Sequence, residues 1–383
     1  MMRASTVWHV IDSVDPAFGG TTRAAVEIGI GLANLGVCTK LVANSGIKEL
    51  RADPELSCRI DKSGLRVTQS SIGARLLNRF AVQPQRGDIM HVHGVWEPLL
   101  WRAAGASRSQ GVPYIVFPHG MLDRWSLRRS SLKKRLALTM GARNMLSRAC
   151  AIQCLTEQEV ADIRLLRLAA TSIRISNGVW PPNTIPSREE FHNHFPNVPV
   201  GKRILLFMAR IHPKKGLSLL IEALLTPALR SLDWVLVVAG STEDSAYAAK
   251  CRELSEGISE RTFWVGHVSG SAKAAMLAAA HVFVLPSFQE GFSLSILEAL
   301  SVGLPVIVSR QCNFPELTDS NAGLIVDTTP SEISQAISWM LAQKREYLEA
   351  AAASGRELID RRYSWSLILQ ELLNTYRQFG SFV

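Results

Sequence analysis

The chain has 383 residues, of which 47% are hydrophobic and 20% charged, and its formal net charge is +9. That length exceeds what one hydrophobic core ordinarily organises, so two domains are expected, and the composition is that of an ordinary soluble α/β protein rather than a disordered one. The charge is uneven: residues 1–195 hold 25 Lys and Arg against 15 Asp and Glu, whereas residues 196–383 hold 17 against 18. The basic excess therefore belongs to the first half.

Along the first half, short apolar runs predict strands at Thr6–Ile11, Lys40–Ala43, Ile89–Val92, Tyr114–Phe117, Ala151–Leu155 and Ser172–Ile175. Helical patterns fall between them, notably at Thr22–Leu35, Leu132–Leu146 and Glu157–Leu168. Such alternation predicts a parallel sheet with right-handed crossovers. Asn177-Gly178 then signals a turn, and prolines at 181, 182, 186, 196 and 199 mark residues 181–201 as a linker.

The pattern restarts at Lys202. Strands are predicted at Arg203–Phe207, Trp234–Ala239, Thr262–Val265, Val282–Leu285, Pro305–Val308 and Leu324–Val326. Three closing helices come next, at about Ser331–Ala342, Arg345–Arg361 and Ser366–Phe379. The expected architecture is two doubly wound domains, residues 1–180 and 202–383, with the last helix, about 366–379, a candidate to pack back on the first domain.

No signal peptide is evident at the start, and the most apolar stretch, Phe292–Ser309, contains Glu298 and Pro305. A membrane span needs about 20 apolar residues, so this stretch is expected to be a helix, turn and buried strand. The six cysteines fit no zinc or redox spacing, Cys150 and Cys154 being the one close pair. Reduced thiols in a cytoplasmic protein are expected.

In doubly wound sheets ligands sit at the carboxyl ends of the strands, so the loops after the strands carry the chemistry. The most distinctive runs P-S-F-Q-E-G-F-S-L-S-I-L-E-A-L, from Pro286 to Leu300. Here a strand ends, a loop carries Glu290, and Gly291 is expected to open a helix containing Glu298. Unpaired N–H groups of Gly291, Phe292, Ser293 and Leu294 would seat a phosphate, and the two carboxylates would accept bonds from hydroxyls. The spacing also suits a capping box between Ser295 and Glu298, with Glu290 merely solvated.

A second loop, Phe207-Met-Ala-Arg210-Ile-His-Pro-Lys-Lys215-Gly216, places two cations between a strand and a helix, as a departing diphosphate requires. A solvated helix start has the same look. Phe117-Pro-His119-Gly120 follows a first-half strand; its histidine could serve a site or simply bond to nearby backbone. Gly19-Gly20 lets backbone amides approach a ligand, or makes a tight turn. Gly266-His267-Val268 ends another strand.

Together these segments resemble the E-x7-E group of retaining GT-B glycosyltransferases, glycosyl transferases group 1 or family 4, in order along nearly the whole chain. The resemblance implies an α/β GT-B fold, two Rossmann-like domains facing across a cleft. It assigns Glu290 to the donor sugar, Glu298 to the ribose, and Arg210 and Lys215 to the diphosphate. Ala209 replaces that motif's usual glycine, while the Arg to Lys-Gly spacing is kept. By the same resemblance His119 lies near the transferred sugar, Gly19 and Gly20 near the donor phosphate, and Gly266, His267 and Val268 at the nucleotide base.

The implied activity is sugar transfer with retention from a UDP- or GDP-sugar to a hydroxyl of a glycan or lipid-linked acceptor. Bacterial polysaccharide or lipopolysaccharide assembly is the associated setting. No D-x-D motif is present, so neither a metal nor another cofactor is expected. A nucleotide-sugar epimerase shares the double-Rossmann architecture, and the basic half suits a nucleic-acid binder, but the E-x7-E spacing opposes the first and no nucleic-acid motif supports the second.

Residues Arg124–Arg148 hold eight basic positions, among them Arg128, Arg129, Lys133, Lys134 and Arg135. On an ideal helix Leu132, Leu136, Met140 and Leu146 form an apolar stripe that Arg143 interrupts. Two outcomes are expected of such a segment: a solvated helix, or a peripheral contact with an anionic surface at the inner face of the cell membrane.

Overall fold

The computed structural model describes residues 5–70, 82–123, 126–127 and 131–379. It divides into two compact units: the residues up to Gly178 together with those from Trp365 onward, and Val179–Ser364.

The first unit is built on strands β1 (Thr6–Ser13), β2 (Cys38–Ser45), β3 (Arg66–Gln69), β4 (Ile89–His93), β5 (Tyr114–Phe117), β6 (Ala151–Cys154) and β7 (Thr171–Arg174). They lie parallel in the order β3-β2-β1-β4-β5-β6-β7. Every residue of β4, β5 and β6 is buried, as expected of strands covered on both faces. β3 was not anticipated. Its sequence, Arg-Val-Thr-Gln, is largely exposed at the sheet edge and offers one apolar residue, too few for a periodic signal.

Helix Trp365–Phe379 belongs to this unit although it lies last in the chain. Trp365, Ile368, Leu369, Leu372, Leu373 and Tyr376 are buried along one stripe at helical spacing. Gly31, in helix Gly20–Asn34, leaves room for Leu369: a β-carbon there would come within 2.3 Å of its Cδ1.

The predicted helix at Leu132–Leu146 is three successive pieces. They are an α-helix at Ser131–Ala137, a wide π turn at Leu138–Ala142 and an α-helix at Arg143–Ser147. The π turn rotates the last piece relative to the first and divides the apolar stripe. Leu146 is buried, whereas Leu132, Leu136 and Met140 are 80%, 59% and 67% exposed. Arg124, Arg128 and Arg129 lie outside the described residues.

The second unit holds β8 (Arg203–Met208), β9 (Trp234–Ala239), β10 (Thr262–Gly266), β11 (Val282–Leu285), β12 (Val306–Ser309) and β13 (Gly323–Val326). These are parallel in the order β10-β9-β8-β11-β12-β13. Its core gathers the fully buried strands β9, β11 and β12 with Leu217, Leu220 and Ile221 of helix Leu217–Leu224. The proline-rich stretch read as a linker carries a helix, Arg188–His194. Ser187 and Glu190 close a capping box there, and Phe191 is buried in the second unit's core.

In each sheet the strand order reverses once, between β1 and β4 and between β8 and β11. A crevice opens at such a switch point, outside the carboxyl ends of the strands. Among the described residues no helix is long and apolar enough to cross a membrane.

Candidate active site

In the second unit, the loops after β8 and β11 leave the sheet on either side of its switch point. Gly216 brings them together: it has φ +71°, and a β-carbon would stand 2.0 Å from the carbonyl oxygen of Pro286. Only glycine tolerates both the left-handed backbone and that approach. The Phe288 N–H then bonds to the Lys214 carbonyl at 2.8 Å.

Across this junction Lys215 Nζ meets Glu290 Oε1 at 2.5 Å, with both side chains largely buried. Ser287 Oγ donates to the same oxygen at 2.8 Å. Burial alone would raise the Glu290 carboxyl, but the charge and hydrogen bond of Lys215, aided by Lys214 and Ser287, hold it below its ordinary value. Among the described residues both side-chain contacts fall on Oε1, which leaves Oε2 to accept from a ligand hydroxyl. The Glu290 backbone is also anchored, donating to the Gln311 carbonyl at 3.0 Å and accepting from Asn313 Nδ2 at 2.8 Å.

Gly291 does not open the helix after this loop. The helix is Leu294–Ser301 with Ser293 at its N-cap, so Gly291 and Phe292 belong to the loop. Phe292 instead packs against Phe314 and Tyr363, which draws the chain out before the first turn. The Ser293 side chain makes no capping bond to the first turn, whose N–H groups keep the partial positive character of a helix start. No capping box links Ser295 to Glu298. Ser295 already lies inside the helix, and Glu298 pairs with Lys273 at 2.8 Å.

Arg210 is half-exposed and its guanidinium meets Glu243 at 2.7 Å. Gly266 ends β10 with φ +73°, and its carbonyl accepts the Gly240 N–H at 2.7 Å. His267 is exposed and Val268 half-buried just beyond. Sequence reasoning missed Ser287, which lies within the Glu290 motif itself, and Lys273, Asn313 and Glu243, which lie outside the motifs that carry their partners.

In the first unit, Gly19 precedes helix Gly20–Asn34 with φ +83°. Gly20 is exposed with open space at its missing β-carbon, so the positive φ sets apart only Gly19 of the pair. His119, two residues beyond β5, is a non-glycine residue at φ +54°, a placement that surrounding contacts must enforce. They are visible. Its ring stacks on Phe117 with centroids 3.6 Å apart, its Nε2 lies 3.0 Å from His93 Nδ1, and Glu159 accepts the next residue's N–H, that of Gly120, at 2.8 Å.

Behind His119 stand three buried histidines: His9 on β1, and His91 and His93 on β4. Burial pushes His9 and His119 down to about 3, and burial with neighbouring imidazoles holds His91 and His93 well below the usual histidine range. All four are neutral near pH 7. The alternation His91-Val92-His93 along a strand was the available sequence signal for this cluster.

Two family profiles match the chain: "Glycosyl transferases group 1" over residues 188–358 and "Glycosyl transferase 4-like domain" over residues 19–178. The O-antigen chain mannosyltransferase B of Escherichia coli is 30% identical over 45% of each chain. The GDP-mannose:cellobiosyl-diphosphopolyprenol alpha-mannosyltransferase of Xanthomonas campestris is 24% identical over 97% of this chain and 96% of its own. With several of the curated relatives, the Escherichia coli one included, the match spans about half of their length.

Among solved structures, Anabaena HepE in complex with UDP and glucose superposes with a TM-score of 0.77 at 16% identity, covering 97% of this chain and 99% of that one. Two Rossmann-like sheets and this likeness establish a GT-B fold. Neither family profile is that of an epimerase, which disfavours that alternative. With both its halves matched by glycosyltransferase profiles, the chain belongs to the glycosyl transferases group 1 family.

Proposed function

We propose that this protein is a retaining, metal-independent glycosyltransferase that moves a sugar from a nucleoside-diphosphate sugar to a hydroxyl of a glycan or lipid-linked acceptor. The carrying observation is the Lys215–Glu290 pair at the switch point of the second sheet. It sets a cation beside an anchored carboxylate with one oxygen open to a hydroxyl. Lys215, Arg210 and the backbone N–H groups of Gly291 and Phe292 in the loop and of Ser293 and Leu294 at the helix start stabilise the departing diphosphate. Glu290 orients the transferred sugar, Glu298 binds the ribose, and Gly266, His267 and Val268 hold the base. Gly19 and Gly20 offer backbone amides to the donor phosphate, and His119 serves the reacting sugar.

In this reading the bond from the anomeric carbon to the phosphate oxygen breaks, and the acceptor oxygen bonds to that carbon from the same face. The acceptor's proton passes to the departing phosphate oxygen. Positive charge from side chains and backbone takes the role that a metal plays elsewhere, and no cofactor takes part.

Support for the donor class comes from HepE, solved with UDP and glucose, and from the Xanthomonas relative, whose name specifies GDP-mannose. Relatives named for O-antigen and polyprenol-linked products support an acceptor in bacterial polysaccharide or lipopolysaccharide assembly. Such an acceptor favours a cytoplasmic enzyme working peripherally at an anionic membrane. Exposed Leu132, Leu136 and Met140 beside Lys133 and Arg135 suit that contact.

The test is a thermal-shift panel of UDP- and GDP-sugars, since a cognate ligand stabilises the fold by mass action. Transfer is then assayed with the stabilising donor. Glu290→Ala is expected chiefly to lower turnover and Glu298→Ala chiefly to weaken nucleotide binding. EDTA is expected to change nothing. Wild-type transfer by both variants rejects the site, and a strict requirement for added magnesium or manganese rejects the metal-independent scheme.

A further inference from the structure

His9, His93 and His119 form a chain of ring-to-ring contacts running from the interior of the first sheet to the loop after β5. His9 Nδ1 lies 2.9 Å from His93 Nε2, and His93 Nδ1 lies 3.0 Å from His119 Nε2. A neutral imidazole carries one N–H, so it donates at one nitrogen and accepts at the other. His93 uses both nitrogens on its neighbours. The three tautomers are therefore coupled, and the chain has only two self-consistent directions.

The far end decides between them. Among the described residues, His9 Nε2 is buried without a hydrogen-bond partner. If the bonds run outward, His9 and His93 both donate from Nδ1, and the orphan Nε2 is a bare acceptor. If they run inward, that orphan is an N–H donor sealed away from water. Buried donors without acceptors are the rarer of the two in native structures.

We propose that His93, backed by His9, is a positioning residue that fixes His119 as its Nδ1–H tautomer, so that His119 offers a ligand a hydrogen-bond donor rather than a base. Among the described residues, Nδ1 of His119 meets no protein hydrogen-bond partner, and the residue is only half-buried. Its N–H is therefore free for an oxygen of the ligand. The left-handed backbone at His119, the Phe117 stack and the Glu159–Gly120 bond hold the ring in register with His93. The same tautomer removes His119 from competition for the acceptor's proton, in keeping with a transfer in which the departing phosphate receives it. This inference rests on the proposed placement of His119 at the reacting sugar.

The experiment has two arms, on the full-length enzyme. Long-range proton–nitrogen spectra of histidine-labelled protein read each tautomer directly. The expected result is Nδ1–H for His9, His93 and His119, with His119 losing that preference in His93→Phe and keeping it in His93→Gln, whose amide can donate to Nε2. The second arm measures release of GDP from GDP-mannose, or of UDP from UDP-glucose, whichever the enzyme accepts. His93→Phe is expected to lower kcat on the order of 10²-fold with little change in KM, because a mis-set tautomer disables an imidazole, and His93→Gln is expected to restore most of it.

An Nε2–H tautomer at His119 in the wild type overturns the proposal, as does stoichiometric zinc held by His9, His91 and His93. So does unchanged kcat in His93→Phe when His119→Asn, which tolerates the same backbone, is impaired. Full activity in His119→Asn together with the expected spectra instead removes the catalytic placement of His119 and leaves the tautomer assignment standing.

Discussion

Glu159 reaches from helix Glu157–Arg164 to the loop after β5, where its carboxylate accepts the Gly120 N–H at 2.8 Å while its other oxygen accepts the Leu155 N–H at 2.7 Å. Burial nevertheless dominates and pushes this carboxyl up to about 7. Between its ordinary value, near 4.5, and 7 the folded state binds more protons than the unfolded state. Its contribution is therefore fully present below that window and lost as pH rises through it. Urea denaturation at several pH values should show this falling component in the wild type and not in Glu159→Gln. The variant should also be destabilised by about 1–3 kcal/mol, because one amide oxygen cannot accept both N–H groups. Parallel stability profiles for the two proteins count against the assignment.

Lys215 and Glu290 depend on each other in the same way that any buried ion pair does. Removing one partner leaves the other charge uncompensated, at about 3–5 kcal/mol. Lys215→Met and Glu290→Gln are each expected to destabilise the protein by more than the double variant does, as measured by chemical denaturation. Because the folded Glu290 carboxyl is held below its ordinary value, its contribution is present above that value and fades as pH falls through the folded one. Additive single effects would show that the pair is not coupled.

The four clustered histidines give the opposite pH sense to Glu159. Their folded values lie below the ordinary 6.5, so unfolding takes up protons below that pH. Their contribution is present above 6.5 and is lost as pH falls, by about 1.4 kcal/mol per pH unit for each proton fully taken up. Calorimetry in buffers of different ionisation enthalpy should detect this uptake at pH 5, and His9→Gln should reduce it by roughly one proton. No uptake at that pH means that the cluster is charged or open in the folded state.

Exposed Leu132, Leu136 and Met140, with Lys133 and Arg135 among them, are expected to bind anionic vesicles. Each cation near such a surface contributes about 1 kcal/mol. Co-sedimentation should rise with anionic lipid and fall with salt. It should weaken in Lys133→Ser with Arg135→Ser, and again in Leu136→Ser with Met140→Ser. Equal partitioning onto neutral and anionic vesicles, or none, removes this surface from the proposed function.

The sequence by itself determined the two alternating β/α halves, because apolar runs and helical spacing are local signals. It also marked Glu290, Glu298, Arg210 and Lys215, since each lies in a short motif of characteristic spacing. β3 escaped it because an exposed edge strand carries little apolar pattern. Only tertiary structure decided which of these residues meet. Lys215 and Glu290 are 75 positions apart and are joined by the reversal of strand order between β8 and β11. Lys273 reaches Glu298 across 25 positions, and His9 reaches His93 across 84. The start of the helix at Leu294, three residues later than expected, was set by Phe292 packing on Phe314 and Tyr363. Local spacing carries the period of a helix or strand but not the order in which strands are laid side by side, and that order places one loop against another.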